Sequence, residues 1–229
     1  MELFLKNEKD EFIIYLMRSI RVIFGCFLIA LADSMFIKSA LGLNAFNVLI
    51  NGLSLNLNIT IGRVSQIVGL SFIIIGFMLK IIPGLGTILN MYFCGFFTDI
   101  ILKNTIVISL NTAEKFIMLP LGIIILNLGI FIYLKQGLGG GPRDGVFLYI
   151  ALNAKITIGK VKMFIEFLAL IIGFLLGGKV GIGTVFISLL SGPILDKIAE
   201  IFKINLKLIK QQNIYEVFIK LFNISKIQV

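Results

Sequence analysis

The sequence predicts an all-α polytopic transmembrane bundle, and three observations lead to that fold class. First, 58% of the 229 residues are hydrophobic and only 14% are charged, whereas soluble domains carry about 25% charged residues. Second, apolar runs recur along the chain at lengths that approach a bilayer core of about 30 Å. Third, the chain repeats itself. This composition excludes an ordinary soluble domain and also a disordered chain, which would need low hydrophobicity and high charge.

The repeat has a period of about 97 residues. A shift of 97 superposes Lys38–Ile101 on Lys135–Ile198 without a gap, and 21 of the 64 positions are identical. We therefore divide the chain into an N-terminal cytoplasmic segment, two transmembrane repeats and a basic tail, at residues 1–21, 22–103, 116–199 and 200–229.

Each repeat contains four apolar segments, which we take in chain order. The segments pair as Val22–Ile37 with about Phe116–Leu134, Leu43–Asn58 with Gly141–Ala154, Val64–Leu79 with Val161–Leu176, and Gly86–Leu102 with Gly183–Ile198. The first, third and fourth of each set reach the roughly 20 residues of a membrane span when flanking residues are included. Six firm spans and two short segments are therefore predicted.

The second segment of each repeat leaves the topology open. In the second repeat only Val146–Ala154 lies between Arg143-Asp144 and Lys155, about 14 Å of helix. If this segment crosses the bilayer, the chain has eight spans in parallel repeats. If it is a half-helix, the chain has six spans in inverted repeats. With the N-terminus inside, each alternative leaves five basic residues outside and sixteen inside, so the positive-inside rule does not separate them.

Both alternatives place the C-terminus in the cytoplasm. The tail from Ala199 to Val229 alternates lysines with apolar residues, which is typical of an amphipathic helix on an anionic leaflet and also of a solvated charged tail. The N-terminus lacks the short apolar region and small-residue site of a cleaved signal peptide.

The composition argues against several functions. The chain has no histidine, and its two cysteines, Cys26 and Cys94, lie in separate apolar runs, so a metal site, haem or disulfide framework is not expected. No nucleophile is paired with a base in the sequence, and we expect neither an enzyme nor a cofactor. The net charge of +9 is assigned to orientation in the membrane rather than to nucleic-acid binding.

The most distinctive stretch is Gly139–Gly145, with the sequence GGGPRDG. Pro142 suits a first helical turn, and Gly141 frees the backbone before it. The helix start at Arg143 and Asp144 would offer unpaired N–H groups to an anion or carboxylate. Alternatively, Asp144 caps its own helix and Arg143 extends to the interface.

Further candidates lie inside the predicted spans. Asp33 and Glu166 occupy apolar segments, where ionisable groups mark transport pathways or ion pairs. Gly183 and Thr184 open the last span and would shape a site or cap a helix. Asn47 and Asn51 lie on one polar helical face, which would line a cavity or bind a neighbouring helix. That face comprises Asn44, Asn47, Asn51, Ser54 and Asn58.

These motifs resemble the YczE/YyaS/YitT family of bacterial integral membrane proteins, and most closely its YczE-like branch. The resemblance covers about residues 20–200. It depends on Pro83–Thr87, Gly139–Gly145, Glu166, Gly177–Thr184 and Gly192-Pro193. Where the family often has a Pro-Trp-Asp step, this chain has Ala45-Phe46-Asn47. The resemblance implies a multi-pass protein of the bacterial cytoplasmic membrane.

The sequence thus predicts a transporter-like protein that binds or moves a small organic or ionic solute between its repeats, surrounded by the lipid bilayer. The proposed recognition or coupling residues are Arg143, Asp144, Glu166, Gly141, Gly183, Thr184, Asp33, Asn47 and Asn51. A non-transporting scaffold that supports another membrane or export system is the alternative. The sequence does not indicate an oligomeric state.

Overall fold

A computed structural model describes residues 2–104 and 111–221, with the side chains of residues 2–10 and of residue 207 left out. Within these ranges the regular structure is entirely helical, which confirms the predicted fold class. The α-helices are α1 Glu2–Ser39, α2 Ala45–Leu57, α3 Ile61–Met78, α4 Leu85–Asn104, α5 Thr112–Lys135, α6 Asp144–Ala154, α7 Ile158–Leu175, α8 Ile182–Ile201 and α9 Ile214–Leu221.

Five helical segments of the described chain are long and apolar enough to cross a membrane. They are Glu11–Ser39, Ile61–Met78, Leu85–Asn104, Thr112–Lys135 and Ile182–Ile201. Helix α1 begins at Glu2. It therefore includes most of residues 1–21, which we expected to precede the first span. Helix α7 has the same length as α3, 18 residues. It carries three charged residues, Lys160, Lys162 and Glu166.

The core of the bundle is an antiparallel pair formed by α1 and α5. A Cβ on Gly25 would lie 2.8 Å from the carbonyl oxygen of Gly129, and one on Gly122 would lie 2.7 Å from the ring of Phe36. Such close backbone approach is what small residues permit at helix contacts within membranes. Helix α5 therefore begins at the same end of the bundle as that at which α1 ends.

Two positions of α1 define the two faces of the molecule, one in the middle of the helix and one at its end. We call the face that contains Arg18 the near face and the face that contains Ser39 the far face. Arg18 donates a 2.8 Å hydrogen bond from Nε to the carbonyl oxygen of Gln136, just after α5 ends. Helix α4 also begins at the near face, because Gly86 donates a 2.7 Å hydrogen bond to the carbonyl of Leu138.

The remaining long helices follow from these contacts. Helix α3 runs antiparallel to α4, since Gly62 contacts Gly95 near the far face. Helix α8 begins at the far face, where Gly183 donates a 2.8 Å hydrogen bond to the carbonyl oxygen of Leu41. It ends at the near face, and α7 runs from the near face back to the start of α8.

The short helices α2 and α6 do not cross between the faces. Helix α2 leaves from and returns to helix ends on the far face, and α6 does the same on the near face. Six helices, α1, α3, α4, α5, α7 and α8, run from one face to the other. The course of the chain is therefore that of the six-crossing alternative, with the second half running opposite to the first.

Several helix bounds recur 97 residues apart. Helices α3 and α4 begin and end 97 residues before α7 and α8. Thr60 and Thr157 serve as the N-caps of α3 and α7, and each hydroxyl accepts a hydrogen bond from the backbone N–H three residues later. Helix capping of this kind satisfies an otherwise unpaired donor.

The tail does not form one continuous helix. Helix α8 ends at Ile201, a 3₁₀ turn covers Leu206–Leu208, and α9 follows at Ile214–Leu221. Val217 of α9 is buried in a cluster with Tyr15 of α1. The chain folds back here because it is held by hydrogen bonds to the near face, described below. Residues 222–229 lie outside the described part of the chain.

Candidate functional site

The starts of the two short helices contact each other inside the bundle. The guanidinium carbon of Arg143, the N-cap of α6, lies 3.9 Å from the centroid of the Phe46 ring in α2. A cation over an aromatic face is attracted by the ring quadrupole. Because helix N-termini carry partial positive charge, both α2 and α6 direct their positive ends toward this contact.

Two predicted residues meet directly beside this contact. The Asn47 amide donates a 2.6 Å hydrogen bond to the Asp33 carboxylate, which joins α2 to α1. Arg143 interacts electrostatically with the carboxylates of Asp144, Glu166 and Asp33. The structure therefore gathers four sequence-predicted residues from α1, α2, α6 and α7 around the guanidinium group of a fifth, Arg143.

Glu166 also has a nearer cation. Its carboxylate lies 3.8 Å from the Lys162 ammonium one turn earlier in α7, and the Glu166 side chain is 35% exposed. Pairs this exposed contribute little to stability. The pair with Lys162 therefore does little to fix the position of the Glu166 side chain.

Asn51 lies one turn beyond Asn47 and lines a small polar cavity. Its side-chain oxygen accepts a 3.1 Å hydrogen bond from the backbone N–H of Lys179. The cavity has a volume of about 10 Å³, which is room for roughly one water molecule. Its polar lining consists of Asp33, Asn47, Asn51, Ser65 and Thr98.

A row of three aromatic rings, which the sequence did not indicate, lies beside these polar groups. The Phe46 ring lies 5.9 Å from Phe72, and Phe72 lies 6.3 Å from Phe147, both edge to face. The three residues come from α2, α3 and α6, and no sequence spacing relates them. They join the starts of the two short helices to α3, and Phe72 also lines the larger cavity described next.

The larger cavity opens at the near face and has a volume of about 270 Å³. The glycine-rich loop before α6 forms one wall. Thr87 donates a 2.6 Å hydrogen bond to the carbonyl oxygen of Gly140, and the N–H of Gly141 donates a 2.6 Å bond to Asp144. The Asp144 carboxylate therefore binds its own loop and does not cap α6, whose N-cap residue Arg143 makes no side-chain capping hydrogen bond. Asp144 also lines the cavity.

Gly183 and Thr184 lie elsewhere. At the far face, the N–H of Gly183 donates a hydrogen bond to the carbonyl oxygen of Leu41. A Cβ on Gly42 would lie 2.7 Å from Thr184. Their counterparts beside Asp144 are Gly86 and Thr87. The 97-residue shift already pairs Thr87 with Thr184, so the sequence contained a signal for this residue.

The tail forms part of the wall of the larger cavity. Gln211 accepts a 3.1 Å hydrogen bond from the N–H of Gly139 and donates one to the carbonyl of Leu134. The backbone N–H of Ile214 donates to the carbonyl of Pro83 at 2.9 Å. Gln211, Gln212 and Asn213 all line the cavity. No periodic pattern in the sequence indicates this role.

The neighbouring glutamine ties the tail to α1. The Gln212 side-chain oxygen accepts hydrogen bonds of 3.2 Å from both the Tyr15 hydroxyl and Arg18. Within the tail, the Lys210 ammonium donates a 2.8 Å hydrogen bond to the Glu216 carboxylate. This hydrogen bond holds the pKa of Glu216 below its ordinary value. These contacts fix the tail across the near face.

The fold and site define a polytopic α-helical membrane protein in which two half-helices meet between six longer helices. A family of unknown function, DUF6198, matches residues 16–200, and the chain belongs to this family. It is similar to an uncharacterised protein of Haemophilus influenzae, with 31% identity over 76% of this chain and 79% of that protein.

Two proteins of Bacillus subtilis are also similar. The uncharacterised membrane protein YczE is 30% identical over 75% of this chain and 80% of its own length. The uncharacterised protein YyaS is 28% identical over 75% of this chain and 87% of its own length. No solved structure matches. These relatives confirm the resemblance inferred from the glycine-rich motifs.

Proposed function

We propose that the protein carries a small solute across the bacterial cytoplasmic membrane, through the larger cavity and past the contact between Arg143 and Phe46. The observation that supports this proposal is the cavity itself, walled by a broken helix and leading toward a charged group inside the bundle. Broken helices at the interface of two halves form the substrate sites of many secondary transporters.

The lining of the larger cavity favours one class of solute. Asp144 is the only charged residue that lines it among the described residues, and Thr87, Gln211, Gln212 and Asn213 supply hydrogen-bonding groups. The volume of about 270 Å³ is just below the usual range of ligand pockets. A small neutral or cationic solute with hydrogen-bonding groups fits this lining better than an anion does.

Asp144→Asn tests the proposal, with Glu200→Gln as the control. Glu200 is an exposed carboxylate near the end of α8 that pairs with Lys197 at 2.8 Å. Purified protein would be screened for thermal stabilisation by small amines, zwitterionic amino acids and carboxylates, because a ligand that binds only the folded state raises the melting temperature. Uptake of each stabilising solute would then be measured in proteoliposomes.

We expect amines or zwitterions to stabilise the protein and to be taken up. Asp144→Asn should weaken binding by about tenfold or more, as expected when a hydrogen bond to a charged group is lost, while Glu200→Gln should leave it unchanged. Stabilisation by carboxylates alone would refute the solute class. Absence of any flux, together with a stoichiometric membrane partner in the purified sample, would instead support a scaffold.

A further inference from the structure

At the far face, four residues hold the start of α3 against the end of α4, and we call this the closed contact. A Cβ on Gly62 would collide with the carbonyl oxygen of Gly95, so the two backbones are in direct contact. Asp99 accepts a 2.5 Å hydrogen bond from the Thr60 hydroxyl and a 2.8 Å bond from the N–H of Gly62. Both glycines are buried.

The same four residue types recur 97 residues later, where the contact is absent. Thr157, Gly159, Gly192 and Asp196 occupy the matching positions of α7 and α8. Both glycines are exposed, and a Cβ on either would meet nothing within 4 Å. Asp196 is exposed and accepts no hydrogen bond from any residue that the structure describes. Helix α7 packs on α2 and α6 rather than along α8.

The open and closed contacts lie on opposite faces. The closed contact between the start of α3 and the end of α4 lies at the far face, and its open counterpart between the start of α7 and the end of α8 lies at the near face. The larger cavity also opens at the near face. The molecule is thus closed on one side and accessible from the other.

We infer that α8 presents a docking surface for the first half of α7, formed by Gly192 and Asp196. In a second state α7 packs there as α3 packs on α4, with Gly159 against Gly192. Asp196 then accepts hydrogen bonds from Thr157 and from the N–H of Gly159. This inference rests on the proposed function, because closing the near face while the far face opens would complete a transport cycle.

The chain provides a matched pair of positions to test this docking. The side-chain amide of Gln66 donates a 2.9 Å hydrogen bond to the carbonyl of Tyr92 across the closed contact. Their counterparts, Met163 and Leu189, are 72% and 67% exposed. We would introduce Met163→Cys with Leu189→Cys, and as the control Gln66→Cys with Tyr92→Cys, into a Cys26→Ala/Cys94→Ala background in membranes.

A short thiol-specific bifunctional reagent should link both pairs within one chain. Adding Gly192→Leu should lower linkage of the 163/189 pair at least tenfold, because the side chain fills the docking surface, and should leave the 66/92 pair unchanged. Linkage between two chains would show that a second copy covers this surface and would overturn the inference. So would linkage of the control pair alone.

No solute is needed for this measurement. If both pairs are linked but no solute binds in the thermal screen, the docking inference is supported and the proposed function is refuted. A protein that binds a solute through Asp144 but never links the 163/189 pair would retain the function and lose the docking.

Discussion

At the scale of single residues, Arg143 is the centre of the site. Its guanidinium group lies against the Phe46 ring, while Asp33 is held by Asn47 on the neighbouring helix. Charged groups removed from water are costly unless opposite charge compensates them. Arg143 and Asp33 therefore each provide part of the environment that makes the other tolerable inside the bundle.

This dependence gives a double-mutant prediction. Arg143→Gln and Asp33→Asn should each lower the free energy of unfolding, since each removes one opposite charge from the surroundings of the other residue. The double variant should lose less than the sum, with a coupling on the order of 1 kcal/mol. Reversible unfolding of the four proteins in one detergent would measure the coupling. Strictly additive losses would show that the two charges do not act on each other.

At the scale of elements, the tail is the part whose attachment is easiest to test. Gln211 and Gln212 each connect it to the near face by side-chain hydrogen bonds. Each such bond contributes about 1 kcal/mol. Gln211→Ala with Gln212→Ala should therefore detach the tail more often and increase tryptic cleavage after Lys210 by about fivefold or more.

The control for the tail is Gln66→Ala, which removes a glutamine bonded to the backbone of a different helix pair. Its rate of cleavage after Lys210 should equal that of the unmodified protein. Limited proteolysis followed by mass spectrometry measures both rates. Equal cleavage of all three proteins would mean that backbone hydrogen bonds and the apolar contact of Val217 hold the tail without these side chains.

The helices were largely predictable from the sequence because their ends carry local signals. Thr60 and Thr157 mark the starts of α3 and α7, and glycines mark the breaks before α4, α6 and α8. The docking of Gln211–Asn213 was not predictable, since it depends on backbone groups of loops that are distant in sequence. The contact of Phe46 with Arg143 likewise depends on tertiary packing, although Arg143, Asp33 and Asn47 were each identified as polar groups within apolar segments.

At the scale of the whole molecule, the number of crossings is the feature that sequence alone left undecided. The basic residues divided equally between the two alternatives, and the short segment at residues 141–154 fitted either one. The structure distinguishes the two alternatives because α1 and α5 are antiparallel, with Arg18 of α1 bonded to Gln136 just after the end of α5. Eight crossings would make these two helices parallel.

This course predicts the sidedness of two exposed positions. Ala113, at the start of α5, and Glu200, at the end of α8, lie on opposite faces. In a Cys26→Ala/Cys94→Ala background, Ala113→Cys and Glu200→Cys should react with a membrane-impermeant maleimide from opposite sides of the membrane. Labelling of intact cells and of inverted vesicles measures this. In an eight-crossing protein both would react from the same side.

The meeting of α2 and α6 inside the bundle also has an electrical consequence. Arg143 lies inside the bundle, between the two faces, so part of any voltage applied across the membrane falls between this residue and either face. Moving one elementary charge through a full 100 mV changes the free energy by about 2.3 kcal/mol. Any rearrangement that carries this guanidinium group along the membrane normal is therefore driven or opposed by the potential of the cell.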